Sequence, residues 1–179
     1  MRENENHLKD LLTREFLHNK EIGALSTLLC GEISAVEAYN LAIENVKDES
    51  LLPVLEECRN SHAMRVVTLQ DRMEYLQENA LESSGWWGAL ARFVEGSATI
   101  ISDKVALSVL AAGEDYGFTQ YEQHIKDLDS ETFDVALSEL LPEQGKTLHA
   151  INNLCNGLHK NSVIEARRRR DNNQKKRAA

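Results

Sequence analysis

The amino-acid sequence predicts an all-α protein, a four-helix bundle built from a duplicated helical hairpin. Its 179 residues include only two prolines, nine glycines and few β-branched runs, a composition that favours helices in one domain. Residues 25–39 (LSTLLCGEISAVEAY) and 107–121 (LSVLAAGEDYGFTQY) match at an offset of 82 positions. The identities are Leu25/Leu107, Ser26/Ser108, Leu28/Leu110, Gly31/Gly113, Glu32/Glu114, Tyr39/Tyr121, Ile43/Ile125, Leu55/Leu137 and Glu57/Glu139. Because they extend beyond one helix, a whole hairpin is predicted to be repeated.

The net charge of −9 is distributed unevenly along the chain. Residues 160–179 carry eight Lys/Arg against Glu165 and Asp171, a local charge of +6, so the other 159 residues carry −15. Three cysteines, an odd number, indicate reduced thiols and a cytoplasmic protein. The polar start does not resemble a signal peptide, and no stretch approaches the ~18 apolar residues that span a bilayer, so no membrane association is expected.

Residues 1–19 are predicted to form an N-terminal leader helix, with an apolar stripe from Leu8 to Phe16. This leader contains the only Glu-x-x-His of the chain, Glu15…His18. Such pairs supply metal ligands in di-iron helical bundles. Here the pair precedes the repeat and has no partner ligands, so we interpret it as an exposed chance pairing.

The bundle is predicted to occupy residues 20–159 and to begin with helices over 20–47 and 50–79. Their apolar residues recur at three- and four-residue spacing, as at a bundle interface. Glu32 and His62 both fall on these apolar seams. Polar side chains are therefore expected inside the bundle.

Residues 80–102 form a connection that is too long for a tight turn between neighbouring helices. Its segment SSGWWGALARFVEG predicts a short helix that follows a glycine-rich break. A long connection between the second and third helices is typical of the ferritin-like arrangement of four helices. The sequence thus predicts a ferritin-like bundle with a crossover that contains a short helix.

The second hairpin is predicted from helices over 103–128 and 130–159. Pro142 lies inside the last of these helices, where it removes a backbone hydrogen bond and predicts a kink. Residues 160–179 have no apolar seam and predict a disordered basic tail.

A carboxylate inside a bundle needs a cation, hydrogen-bond donors, a metal or a proton. Glu32 and Glu114 are predicted to face each other, as the lone glutamates of di-iron bundles do. Counting along the first hairpin places His62 level with Glu32, and the repeat places Gln144 at the same depth. His149 lies about 7.5 Å further along its helix, at 1.5 Å per residue. A metal set of Glu32, His62, Glu114 and His149 therefore requires a register shift near Pro142.

Two observations argue against a standard di-iron centre. The positions three residues before His62 and His149 hold Arg59 and Lys146, where bridging glutamates would stand. The alternative to a site for one iron, manganese or zinc ion is a hydrogen-bonded network that fixes helix register. The side chains predicted to join Glu32, Glu114 and His62 in that network are Tyr39, Arg65, Tyr121 and Gln144. No catalytic residue is predicted.

The segments LLCGEISAVEAY, NSHAMRV, SSGWWGALARFVEG, AAGEDYGFTQY and SELLPEQ resemble an uncharacterised bacterial family of ferritin-like four-helix bundles, catalogued as a domain of unknown function. The resemblance covers about residues 22–158 and implies a ferritin-like fold. It implies no activity, because that family has none assigned. Of the ligands used in the broader superfamily, only Glu32, Glu114, His62 and His149 have counterparts here.

Three functional hypotheses follow from the sequence. The chain is a ferritin-like bundle with a structural or degenerate metal site, a metal-binding stress protein, or a protein that associates with nucleic acid through its tail. Tail residues Arg167, Arg168, Arg169 and Arg170 would bind phosphate without reading sequence, although the acidic body repels nucleic acid. A homodimer is expected, and an enzymatic role is not favoured.

Overall fold

The computed structural model describes residues 2–76 and 102–158, with side chains from residue 9 onward. Four helices account for nearly all of these residues, which confirms the all-α bundle. They are α1 (Arg2–Asn45), α2 (Leu52–Tyr75), α3 (Asp103–His124) and α4 (130–158); α4 consists of Ser130–Val135, a π-helical segment Ala136–Leu140 and an α-helical part over 141–158. The predicted crossover helix and the basic tail lie outside the described residues. No described helix is long and apolar enough to span a bilayer.

The N-terminal leader is not a separate helix, because α1 runs without a break from Arg2 to Asn45. The break predicted near residue 20 is therefore wrong. No proline lies between residues 2 and 45, and Gly23 alone does not end a helix when its neighbours are good helix formers. Residues 9–17 are exposed, and burial begins at Glu21.

Side chains fix the starts of α3 and α4 and of the short 3-10 turn Glu49–Leu51 that precedes α2. The Asp48 carboxylate accepts the Ser50 backbone N–H at 3.0 Å, and the Ser102 hydroxyl caps α3. Asp129 caps α4 by accepting the backbone N–H of Thr132 at 2.7 Å. The Asp103 carboxylate accepts two backbone N–H groups from the loop after α1. Because that carboxylate belongs to the first turn of α3, these bonds fix α3 against the end of α1.

Two apolar clusters fill the bundle, one toward each end. The first contains Tyr39, Ala42, Leu51, Leu55, Cys58, Ala106, Leu107, Leu110 and Ile151. The second contains Leu25, Leu28, Leu29, Leu69, Met73, Tyr121, Ala136 and Leu140. On every helix a buried polar residue lies between the positions assigned to the two clusters. The middle of the bundle is therefore polar, although both ends of its core are apolar.

The π-helical segment changes the register between the two hairpins. Up to its first residue, the buried residues Leu51 and Leu55 correspond to Thr132 and Ala136, an offset of 81. After it, buried His62 and Gln144 correspond at an offset of 82, as in the sequence repeat. One additional residue in a helical turn has this effect.

This register shift explains why Leu55 and Leu137 match in the sequence repeat but differ in burial. Leu55 is buried, whereas its sequence counterpart Leu137 is 50 % exposed. The segment ends just before Pro142, whose missing N–H and ring disturb the preceding turn. In the π turn the Leu141 N–H donates to the Ala136 carbonyl, five residues back. The irregularity predicted at Pro142 thus takes the form of a π turn.

Candidate functional site

Eight buried polar side chains form a connected cluster midway along the bundle, hereafter the polar layer. They are Glu32 and Tyr39 from α1, His62 and Arg65 from α2, Glu114 and Tyr121 from α3, and Gln144 and Thr147 from α4. None is more than 4 % exposed. Each helix thus contributes two members, and the layer is enclosed on both sides by the apolar clusters.

The two glutamates are linked across the repeat by tyrosines. The Tyr121 hydroxyl donates to Glu32 Oε1 at 2.7 Å, and the Tyr39 hydroxyl donates to Glu114 Oε1. Burial and the neighbouring carboxylate raise the pKa of both phenols, so both remain donors. Each tyrosine comes from the other copy of the hairpin, and the bonds therefore hold the two copies together.

Glu32 is also bound by two residues one helical turn apart on α2. Arg65 Nε donates to Glu32 Oε1 at 2.8 Å, and His62 Nδ1 lies 2.7 Å from Glu32 Oε2. Burial alone would raise the pKa of Glu32, but the His62 hydrogen bond and the Arg65 charge outweigh it. The pKa is lowered, and Glu32 is a carboxylate.

Glu114 is bound by the equivalent pair on α4. Gln144 Nε2 donates to Glu114 Oε2 at 2.7 Å, and the Thr147 hydroxyl donates to the same oxygen at 2.8 Å. Gly117 leaves room for this contact, because a Cβ there would lie 3.0 Å from Gln144 Nε2. The pair on α4 is neutral, although it occupies the same positions as the charged pair on α2.

His62 connects the two halves of the layer. Its Nε2 lies 3.0 Å from Glu114 Oε1, while its Nδ1 faces Glu32. Because ionised carboxylates only accept hydrogen bonds, both ring nitrogens donate when the ring is an imidazolium. Burial and Arg65, whose Nη2 is 2.6 Å from Nδ1, oppose that charge. The bonds to Glu114 and Glu32 prevail, and the pKa of His62 is raised.

The Arg65 guanidinium contacts four side chains in or beside the layer. Besides Glu32, it donates from Nη1 to the Ser61 hydroxyl at 2.8 Å and from Nη2 to Gln144 Oε1 at 2.9 Å. It thereby joins α1, α2 and α4. With His62 charged, the layer holds two carboxylates and two cations.

The structure brings together three of the four residues predicted as metal ligands. Glu32, His62 and Glu114 lie in the layer, whereas His149 is exposed on α4. His149 is five residues after Gln144, which turns it about 140° around a helix of 3.6 residues per turn. The register shift that a joint site with His149 required does not occur in α4, because Gln144 and Thr147 face inward at the repeat offset of 82 from His62 and Arg65.

The sequence-based assignment of the bridging positions is corrected by the structure. Arg59 is half-buried and bonds Asn60, and Lys146 is exposed beside Glu143. The inward pairs are instead His62-x-x-Arg65 and Gln144-x-x-Thr147. Thr147 was not predicted, although it lies at the repeat offset from Arg65 and that correspondence could have revealed it.

The donor set does not fit a metal centre. Coordinating residues direct their donor atoms at one point, but His62 presents opposite ring nitrogens to the two glutamates. Glu114 already accepts four side-chain hydrogen bonds, about the capacity of a carboxylate. Within residues 9–76 and 102–158, no group of three or more His, Cys, Asp or Glu is arranged to hold a metal ion.

A third buried carboxylate, Glu21, lies beside the first turn of α4. Glu21 accepts a hydrogen bond from the Thr132 hydroxyl at 2.7 Å, and that hydroxyl accepts one from Arg72 Nε. Arg72 also donates from Nη2 to both oxygens of Asp129, at 3.0 and 2.9 Å. These bonds join α1, α2 and the start of α4. A guanidinium at the centre makes this cluster a structural clamp.

A four-helix bundle with one inward glutamate on each of α1 and α3 has the fold and the placement of lone glutamates that occur in ferritin-like bundles. Residues 20–127 match the family described as Domain of unknown function (DUF2383), and the chain belongs to that family. The fold is similar to a solved structure described as ferritin like, diiron-carboxylate proteins from Bacillus anthracis str. Ames. That likeness has a TM-score of 0.62 and 14 % identity over 78 % of this chain and 97 % of the other, and shows the fold alone. No curated protein matches the sequence.

Proposed function

We propose that this chain is a metal-independent ferritin-like bundle in which the polar layer has a structural role, and that it is not a di-iron oxidase. The observation that supports this most directly is the buried Arg65 guanidinium, which pairs with Glu32 in the middle of the layer. A fixed cation at that position repels a metal ion and already neutralises the carboxylate that would bind it.

The layer has a clear structural consequence. Buried ion pairs add little net stability, because burial of the charges is costly, but they penalise every arrangement that leaves one of them unpaired. Glu32 has partners on α2 and α3, and Glu114 has partners on α1, α2 and α4. A slip of any helix by one turn would therefore strand a buried charge. We infer that the layer fixes helix register and the pairing of the two hairpins.

Metal analysis of the wild-type protein tests the proposal. The protein is purified without chelator, its metal content is measured by plasma mass spectrometry, and Fe(II) oxidation is followed in air. We expect well below one metal ion per chain and no oxidation above the rate in buffer. Stoichiometric iron, manganese or zinc that is lost in Glu32→Gln would refute the proposal and favour a metal-binding stress protein.

A further inference from the structure

The polar layer has the same arrangement of positions as a di-metal ligand shell. Di-iron carboxylate bundles take a lone glutamate from each of two helices and a Glu-x-x-His pair from each of the other two. Here Glu32 and Glu114 are the lone glutamates. The inward pairs at the same depth are His62-x-x-Arg65 on α2 and Gln144-x-x-Thr147 on α4, abbreviated below as the α2 pair and the α4 pair.

We propose that the layer is a latent di-metal site in which Arg65 and the His62 ring supply the positive charge that two metal ions supply in such a shell. Restoring Glu-x-x-His in both pairs should therefore make this chain bind divalent cations. The inference rests on the proposed function, because it presumes that the wild-type layer holds no metal.

The charge balance of the layer supports the proposal that cationic side chains take the place of two metal ions. A shell with four glutamates carries four negative charges, which two divalent ions neutralise. In this chain both paired glutamates are absent, and the remaining two carboxylates face the Arg65 guanidinium and the His62 ring, whose two nitrogens lie 2.7 and 3.0 Å from them. Both arrangements are close to neutral, as burial demands. Two carboxylates are neutralised by two single positive charges, so the Arg65 guanidinium and a protonated His62 ring preserve the balance without metal.

The position of Arg65 is a second observation that supports the proposed latent di-metal site. The guanidinium makes contacts of 2.8 Å with Glu32, 2.9 Å with Gln144 and 2.6 Å with His62, so it lies among one lone glutamate and one member of each pair. A metal ion in a shell lies among the same set of residues. Shortening position 65 to histidine would remove this charge and provide a nitrogen ligand.

The test is a variant with His62→Glu, Arg65→His, Gln144→Glu and Thr147→His, titrated with Co(II). Visible absorption bands report coordination, and mass spectrometry of the metal gives the stoichiometry after gel filtration. We expect about two cobalt ions per chain, as in two-metal bundles. The matched control is Arg59→His, the same substitution on the same helix outside the layer, which should bind no more cobalt than the wild type.

A variant with two substitutions is used if the variant with four substitutions does not fold. His62→Glu with Arg65→His restores only the α2 pair and should bind one cobalt ion with the two lone glutamates. Circular dichroism is recorded with and without cobalt, because folding that depends on cobalt also supports the inference. A variant that is folded and empty, or unfolded in excess cobalt, refutes it. Stoichiometric metal in the wild type instead refutes the proposed function, so the two failures are distinguishable.

Discussion

Replacing Arg65 with methionine tests the account of the polar layer most directly. Methionine keeps much of the apolar stem of the side chain but removes the guanidinium, leaving Glu32 buried with only His62 and Tyr121 as partners. Breaking a buried pair by removing one partner costs about 3–5 kcal/mol. For a domain of this size each kcal/mol shifts Tm by roughly 2–4 °C, so Tm should fall by roughly 6–20 °C.

Thermal and urea unfolding followed by circular dichroism measure this loss. Arg59→Met is the matched control, since within residues 9–76 and 102–158 the side-chain hydrogen bonds of Arg59 go to its neighbour Asn60, and the substitution should change stability by about 0.5 kcal/mol or less. Combining Arg65→Met with Glu32→Gln removes the unpaired charge and should recover part of the loss. The reasoning is refuted if Arg65→Met lowers the free energy of unfolding by less than Arg59→Met does. It is also refuted if the double variant loses more free energy of unfolding than the two single substitutions do together.

The remaining predictions concern protons, hydroxyls and the tail. Since the pKa of His62 in the folded protein is raised above 6.5, the contribution of His62 to folding stability is complete at lower pH and is lost as pH rises through that pKa. The pKa of Glu32 is lowered, so the contribution of Glu32 to folding stability is lost as pH falls through its folded pKa. Tm should therefore peak between these limits, and His62→Gln should abolish the alkaline decline; a decline that persists unchanged contradicts the assignment. Tyr39→Phe and Tyr121→Phe should each cost about 1–3 kcal/mol in urea unfolding, because a buried carboxylate loses a donor; no measurable cost for either would contradict the reciprocal bonds. Deleting residues 161–179 should leave Tm nearly unchanged, and if retention on DNA at low salt is also unchanged, the nucleic-acid hypothesis is wrong.

Much of the fold was predictable because a bundle is specified by local patterns. Apolar residues at three- and four-residue spacing and the repeat at an offset of 82 indicate four helices in two hairpins. The depth count along the first hairpin also predicted that His62 would lie level with Glu32. These features depend only on helix geometry, which is the same in every protein.

The partners of the two glutamates were only partly predictable. The sequence indicated Arg65 as a candidate donor to the layer and placed Arg59 at the position of a bridging glutamate. Which arginine faces inward depends on how α2 is rotated about its axis, and the packing of Leu55, Leu69 and Met73 against the other helices decides that. Rotation is a property of the whole bundle, so spacing along one helix does not fix it.

The sequence by itself determined that the protein is an all-α bundle with a repeated Gly-Glu helix, because periodicity and repetition are carried by the order of residues. Only the tertiary structure decided that α4 takes a π turn over Ala136–Leu140, that Thr147 joins Gln144 in the layer, and that His149 lies outside it. A single additional residue in one turn rotates everything after it by about 100° relative to what precedes it. Whether a helix accepts that residue depends on the fit of its buried side chains against three neighbours, which no local pattern records.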